Sequence, residues 1–210
     1  MLSDNITVNE QGHIVFAGYD TTSLAHKYGT PLYLMDETRI RKNCRIYTQA
    51  FREAFGENGL VLYASKANAF KGIYRIVAEE GLGIDVVSSG EIYTALQAGS
   101  DLSTAYFHSN NKTDEDIAYA IAQGVGCFVV DNREELDAID VIAGQAGIRQ
   151  KILLRLTPGI DPHTYDAINT GNPYPVTVGI GQTGDFMNQG NSIYNAEQLC
   201  KLDFWCSIDL

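Results

Sequence analysis

The chain has 210 residues and a net charge of −11, with 15 lysine and arginine residues against 26 aspartate and glutamate residues. This acidic balance argues against nucleic acid or an anionic membrane surface as a partner. No apolar run approaches the ~20 residues that cross a bilayer, and residues 1–5 lack the features of a signal peptide. The four cysteines show no spacing typical of a metal site, so we expect a cytoplasmic protein with free thiols and no metal.

Residues 1–35 are predicted to form a first unit of short strands and one short helix. Two apolar runs, 6–8 and 13–16, flank a polar turn, which is typical of a β-hairpin. A short helix over 23–28 and a further strand over 32–35 complete this unit.

Residues 36–171 alternate between amphipathic helices and short apolar strands, a pattern that indicates a parallel sheet. Asp36 is predicted to cap the first helix, Thr113 a later one, and Ser88–Glu91 and Asn132–Glu135 have the spacing of capping boxes. Strands are predicted at 60–63, 84–87, 105–108, 127–130 and 152–156.

Five strand–helix units in succession predict an incomplete (β/α)8 barrel of the TIM type. Eight units usually take ~250 residues, and too few residues follow Leu156 to complete them. A doubly wound sheet is the alternative that this pattern leaves open. Residues 172–210 do not continue the alternation, and we expect them to form a separate tail.

Lys66 stands at the end of the first of these strands, in the sequence Tyr63–Asn68. Because side chains alternate along a strand, Leu62, Ala64 and Lys66 are expected to share a face that points into the core. Burial lowers the pKa of an amine, and a neutral amine is the nucleophile of Schiff-base chemistry. A lysine paired with a carboxylate, or one that reaches the rim, is the structural alternative.

Asp85, His108 and Arg155 also stand near the carboxyl ends of predicted strands, where the active sites of barrel enzymes lie. Each also has a purely structural interpretation. Asp85 can accept a hydrogen bond from a backbone amide, His108 can be a hydrogen-bonded histidine at the rim, and Arg155 can pair with a carboxylate.

Six stretches of the chain occur in a distinctive order: Tyr28–Tyr33, Tyr63–Asn68, Gly83–Glu91, Phe107–Thr113, Leu154–Gly159 and His163–Gly171. Together they resemble the diaminopimelate decarboxylase family, pyridoxal-phosphate enzymes with the alanine racemase-like fold. The similarity extends from about residue 10 to Gly171. It implies that the strands of residues 1–35 join a second β domain, and that residues 36–171 are part of a barrel that binds pyridoxal 5′-phosphate.

The resemblance also implies a chemistry. Lys66 would hold the cofactor as a Schiff base, Arg155 would lie near the cofactor, and Asp85 near the lysine; His108 is counted with the cofactor-binding residues from its place at a strand end. The implied reaction is the decarboxylation of meso-diaminopimelate to lysine, and a homodimer is implied for the full-length family member.

Two alternatives remain open at this point. One is another enzyme of the same fold, such as an ornithine or arginine decarboxylase or an amino-acid racemase, although residues 163–171 favour diaminopimelate. The other is a non-catalytic carrier of pyridoxal phosphate. The family's phosphate-binding and pyridine-facing segments do not occur here, so we expect a truncated chain with doubtful activity and a disordered or frameshifted tail over 172–210.

Overall fold

The computed structural model describes residues 4–155 and 207–208. The N-terminal unit contains three strands and one helix: β1 (Ile6–Val8), β2 (Ile14–Phe16), β3 (Tyr19–Asp20) and α1 (Thr21–Tyr28). The strands pair antiparallel in the order β1-β2-β3. Asp20 joins this sheet to the helix, because its carboxylate accepts hydrogen bonds from the backbone amide of Thr22 at 2.8 Å and from the side chain of Asn9 at 2.8 Å.

The predicted hairpin and short helix are confirmed, whereas the strand predicted over 32–35 is wrong. This segment takes no regular secondary structure, and Tyr33 is 96% exposed. A strand requires a hydrogen-bonded neighbour, and no strand pairs with this segment within the described residues.

The rest of the described chain alternates between helices and strands. In order these are α2 (Glu37–Phe55), β4 (Leu62–Ala64), α3 (Lys71–Glu79), β5 (Gly83–Val86), α4 (Ser89–Ala98), β6 (Ala105–His108), α5 (Asp114–Ala122), β7 (Cys127–Val130), α6 (Arg133–Gln145), β8 (Lys151–Leu154) and β9 (Ser207–Ile208). All six strands of this sheet are parallel, in the order β8-β7-β6-β5-β4-β9.

From β4 to β8, strands that follow one another along the chain are neighbours in the sheet, and consecutive helices pack on one another from α2 to α6. A doubly wound sheet would instead reverse its strand order and place helices on both faces. The predicted incomplete (β/α) barrel is therefore confirmed, and the doubly wound alternative is not observed. Among the described strands the sheet is open, with β8 and β9 at its two edges.

The predicted domain boundaries at 35 and 171 remain predictions. The prediction of a disordered or frameshifted tail over 172–210 lies outside the described residues, apart from Ser207–Ile208, which pairs with Leu62 and Tyr63 of β4. None of the helices in the described part of the chain has the length and apolar character that a membrane crossing requires.

One face of the parallel sheet packs against the helices and forms the core. Its strand residues occupy alternate positions: Tyr63, Ile84, Val86, Ala105, Phe107, Phe128 and Val130. The positions between them point to the opposite face, since successive side chains of a strand alternate. That second face carries Ala64, Asp85 and His108.

Capping residues start the helices close to the predicted positions. Thr113 and Asp116 form a reciprocal capping box at α5. At α4, Ser88 caps as predicted, but the carboxylate of Glu91 accepts from the amide of Val87 at 2.7 Å instead of returning to the cap residue. The box predicted at Asn132 departs from the pattern in the same way.

An ion-pair network attaches α2 to the end of α3. Arg45 donates two hydrogen bonds to Glu80, at 2.6 and 2.8 Å, and Arg41 donates a third at 3.0 Å. The two guanidinium groups lower the pKa of Glu80 to about 2, because hydrogen bonds from Arg45 and then Arg41 favour the ionised carboxylate.

We predict that Glu80→Gln destabilises the chain at pH 7 and has little effect at pH 2. A folded-state pKa below the ordinary carboxyl value means that the stabilisation is complete above about pH 4.5 and is lost as the pH falls toward about 2. Urea unfolding followed by circular dichroism across this pH range measures the difference.

The matched control is Glu57→Gln, which removes the pair with Arg52, whose side chain is 72% exposed against 87% for Glu57. Exposed pairs contribute little, so this variant should follow the wild type at every pH. Equal effects of the two substitutions would contradict the role of Glu80.

Candidate active site at the carboxyl ends of the strands

Lys66 lies in a 3₁₀ turn, Ser65–Ala67, that follows β4. The strand itself ends at Ala64, and the buried residue of the turn is Ser65, whereas Lys66 is exposed. The expectation that Lys66 points into the core is therefore wrong. The alternation of side chains holds only along the strand, and the turn redirects the residue that comes next.

The turn that carries Lys66 is held by the residues around it. Tyr63 is 2% exposed, and its hydroxyl donates a hydrogen bond to the backbone carbonyl of Asn68 at 2.9 Å. The side chain of Asn68 in turn contacts the sulfur of Met35 at 3.8 Å. An aromatic ring anchored in the core thus fixes the far end of the turn, which presents the lysine at the edge of the sheet.

Asp85 and His108 lie on neighbouring strands, on the face opposite the helices. Asp85 of β5 is 1% exposed, and its register partner on β4 is Ala64. One carboxylate oxygen of Asp85 lies 4.0 Å from Nδ1 of His108, which ends β6. The sheet therefore brings together two of the side chains that the sequence predicted for the site.

Burial lowers the pKa of His108 to about 4, and the positive charges of Arg155, Lys112 and Lys66 contribute to the same shift. The carboxylate of Asp131 opposes it. His108 is consequently neutral at pH 7, so one ring nitrogen can donate a hydrogen bond while the other accepts one.

Arg155 follows β8 and pairs with a carboxylate that the sequence did not single out. Its Nη1 lies 3.0 Å from Oδ1 and 3.4 Å from Oδ2 of Asp131, which follows β7. Arg155 thus forms the ion pair that its structural interpretation predicted, yet a quarter of its side chain remains exposed (25%). Asp131 stands at a strand end just as Asp85 and His108 do, and that position was the available signal.

Lys112 and Glu135 form a buried ion pair behind these residues, with Lys112 Nζ 2.8 Å from Glu135 Oε1. Burial lowers the pKa of the Lys112 amine and raises the pKa of the Glu135 carboxyl, while the pair itself opposes both shifts. Neither residue was predicted for the site. Lys112 precedes the capping Thr113, and Glu135 is the last residue of a predicted capping box, so both have ordinary local interpretations.

The edge thus combines an exposed amine, a neutral imidazole and a partly exposed guanidinium. A primary amine condenses with an aldehyde, and a guanidinium binds phosphate or carboxylate. The residues present therefore fit a cofactor that carries both an aldehyde and an anionic group. Within residues 4–155 and 207–208, no cluster of His, Cys, Asp and Glu side chains has the arrangement of a metal site.

We predict that His108→Gln removes a pH-dependent loss of stability from the chain. The pKa of His108 lies below the ordinary 6.5, so the stability of the fold is complete above about pH 6.5 and falls as the pH drops to about 4. A shift of this size corresponds to at most roughly 3 kcal/mol. Urea unfolding at several pH values measures it, with His26→Gln as the control because His26 is exposed; identical pH profiles for the wild type and His108→Gln would contradict it.

Comparisons with known proteins agree with these features. Residues 38–174 match the family described as "Pyridoxal-dependent decarboxylase, pyridoxal binding domain". The chain is 48% identical over 164 residues to diaminopimelate decarboxylase of Bacillus methanolicus, which covers 78% of this chain and 38% of the relative.

Solved structures give the same result. The structure of diaminopimelate decarboxylase from M. jannaschii in co-complex with L-lysine is 36% identical with a TM-score of 0.71, over 81% of this chain and 40% of the other. The Helicobacter pylori enzyme complexed with L-lysine is 32% identical with a TM-score of 0.65, over 73% and 38%.

The chain spans about two fifths of the length of the relatives that it matches (38% of the Bacillus methanolicus protein). The match covers α2 and the strands β4 to β8 with their helices, the same region that carries Lys66 and its neighbours. The resemblance that the sequence motifs indicated is confirmed. On this evidence the chain belongs to the pyridoxal-dependent decarboxylases, and its residues 38–174 match their pyridoxal binding domain.

Proposed function

We propose that this chain forms the cofactor-binding part of a diaminopimelate decarboxylase that converts meso-diaminopimelate to lysine. The observation that carries the proposal is the exposed Lys66, presented by a fixed turn at the carboxyl edge of the sheet on which Asp85 and His108 also lie. The identity to relatives of that name supports the choice of substrate.

Each side chain of the edge has a role in this proposal. Lys66 supplies the amine that binds pyridoxal 5′-phosphate covalently, and the bound cofactor supplies an electron sink for the electrons that carbon dioxide leaves behind. Arg155 offers positive charge to an anionic group of cofactor or substrate. His108 is neutral at pH 7, so it can donate a hydrogen bond from one ring nitrogen and accept one at the other.

Asp85 is proposed to orient His108. It keeps a carboxylate 4.0 Å from Nδ1 of His108, which favours one orientation of the imidazole. Asp85 also lies on the same face of the sheet as His108.

The proposal extends to the setting in which the protein works. The acidic charge and the buried free thiols of Cys44 and Cys127 suit the cytoplasm. A homodimer is proposed for the full-length family member, and analytical ultracentrifugation measures it.

We predict that borohydride reduction in the presence of pyridoxal 5′-phosphate labels Lys66, and that Lys66→Ala abolishes the label. The amine of Lys66 is exposed and faces the polar edge, whereas Lys112 is enclosed. Peptide mapping by mass spectrometry identifies the labelled lysine. Lys71→Ala is the control, since Lys71 is an exposed lysine a few residues away at the start of α3 and its loss should leave the label unchanged.

The same label discriminates between substrates. Diaminopimelate should lower the labelling of Lys66 more than equal concentrations of ornithine, arginine or alanine, because the amine of the preferred substrate takes the place of Lys66 on the cofactor. Preferential competition by one of the other amino acids would indicate a different decarboxylase or a racemase. Equal competition by all of them would indicate a non-catalytic carrier, and a label on another lysine would contradict the assignment of Lys66.

A further inference from the structure

We propose that Lys112 is a positioning residue of this site: its buried ammonium group clamps the loop after β6 to β7 and, through Glu135, holds Asp131 and Arg155 at the edge that Lys66 faces. This role deepens the proposed function and rests on it. Lys112 does not touch the cofactor or substrate in this account, and it acts through the residues that it holds.

The ammonium group of Lys112 is fully used within the protein. Nζ donates hydrogen bonds of 2.8 Å each to the backbone carbonyls of Ser109 and Val129 and to Oε1 of Glu135. An ammonium has three N–H groups, and each has an acceptor here. The Lys112 side chain has no exposed surface and that of Glu135 is 4% exposed, so this lysine differs in kind from the exposed Lys66.

The three acceptors belong to three different elements. Ser109 lies in the loop directly after His108, Val129 lies on β7, and Glu135 lies in the first turn of α6. Val129 is also the register partner of His108 across the two strands. One side chain therefore fixes the exit of the chain from β6 relative to the neighbouring strand and helix, and with it the end of β6 that presents His108.

Glu135 connects Lys112 to Asp131, which follows the neighbouring strand β7. While Oε1 accepts from Lys112, Oε2 accepts from the backbone amide of Asp131 at 3.4 Å. The carboxylate of Asp131 then binds Nη1 of Arg155 at 3.0 Å. Two ion pairs, joined through the backbone amide of Asp131, thus connect the strand ends of β6, β7 and β8, from Lys112 to Arg155.

Stability alone does not account for this arrangement. Buried ion pairs lose much of their Coulombic gain to desolvation, and apolar residues of similar volume often serve as well or better. The opposed pKa shifts of Lys112 and Glu135, both caused by burial, reflect that desolvation. What an apolar pair could not supply is the set of directed hydrogen bonds to Ser109, Val129 and the amide of Asp131.

The difference between an apolar pair and the Lys112–Glu135 pair can be tested by substitution. Lys112→Met or Glu135→Leu alone leaves one buried charge unpaired and should destabilise the chain strongly, whereas the double variant removes both charges and should regain most of the urea midpoint. In the double variant the pyridoxal 5′-phosphate concentration that half-labels Lys66 should nevertheless rise on the order of 10- to 100-fold, as expected for a displaced site. Lys42→Met, which removes an exposed lysine of α2, is the control and should leave the labelling unchanged.

A second readout is independent of the cofactor. Loss of the Lys112 charge should raise the pKa of His108 from about 4 toward its ordinary value, measured by NMR titration of the imidazole. A double variant with wild-type stability and wild-type labelling of Lys66 would overturn the proposal. If the double variant does not regain its stability, Glu135→Gln is the second test of the proposal. This variant keeps the shape of the side chain but removes one of its two acceptor oxygens, so that Lys112 and the Asp131 amide no longer both have an acceptor. Wild-type labelling of Lys66 in Glu135→Gln would also overturn the proposal.

The two proposals fail in different ways. Absence of any label on Lys66 in the wild-type chain would overturn the proposed function, while the His108 titration would still report whether Lys112 acts on the site. Normal wild-type labelling that the double variant retains would overturn the role of Lys112 and leave the proposed function standing.

Discussion

The parallel register of β4 to β8 is the constraint on which the rest of the structure depends. It pairs Ala64 with Asp85 and His108 with Val129, so that every second side chain turns away from the helices while the strands end at a common edge. The helix-facing positions are apolar and make the core. The remaining positions at the carboxyl ends are free to carry charge, and that is where Asp85, His108 and Arg155 lie.

Charge at this edge is balanced between several elements. Three cations, Lys66, Lys112 and Arg155, lower the pKa of His108 in addition to the effect of its burial. Asp131 pairs with Arg155 and Glu135 pairs with Lys112. Among the described residues, Lys66 is therefore the exposed cation of the three. The two lysines therefore differ in role: Lys112 is buried in an ion pair that holds the fold, whereas Lys66 is exposed and available to react.

Sequence patterns predicted the strands and helices of the parallel sheet well, because apolar periodicity and capping residues act locally. The residues near the strand ends were found for the same reason. The strand over 32–35 could not be judged locally, since an extended segment becomes a strand only when a partner pairs with it. The placement of Lys66 was wrong because β4 ends two residues before it and a turn follows.

The contacts of Lys112, Glu135 and Asp131 could not be predicted from the sequence, because they too join residues that are far apart along the chain. Lys112 and Glu135 are 23 residues apart, and Asp131 and Arg155 are 24 apart. Each residue has an unremarkable local interpretation as a surface lysine, a helix cap or a loop acid. Only the sheet, by bringing the ends of β6, β7 and β8 together, turns them into one network.

The central claim is that the carboxyl edge of this sheet holds pyridoxal 5′-phosphate on Lys66. A crystal structure of the borohydride-reduced complex tests it most directly. The account predicts a pyridoxyl group bonded to Lys66 Nζ that lies over the strand ends, in contact with His108 and Arg155. A group on Lys66 that points away from this edge and touches neither residue, or a group on any other lysine, would contradict it.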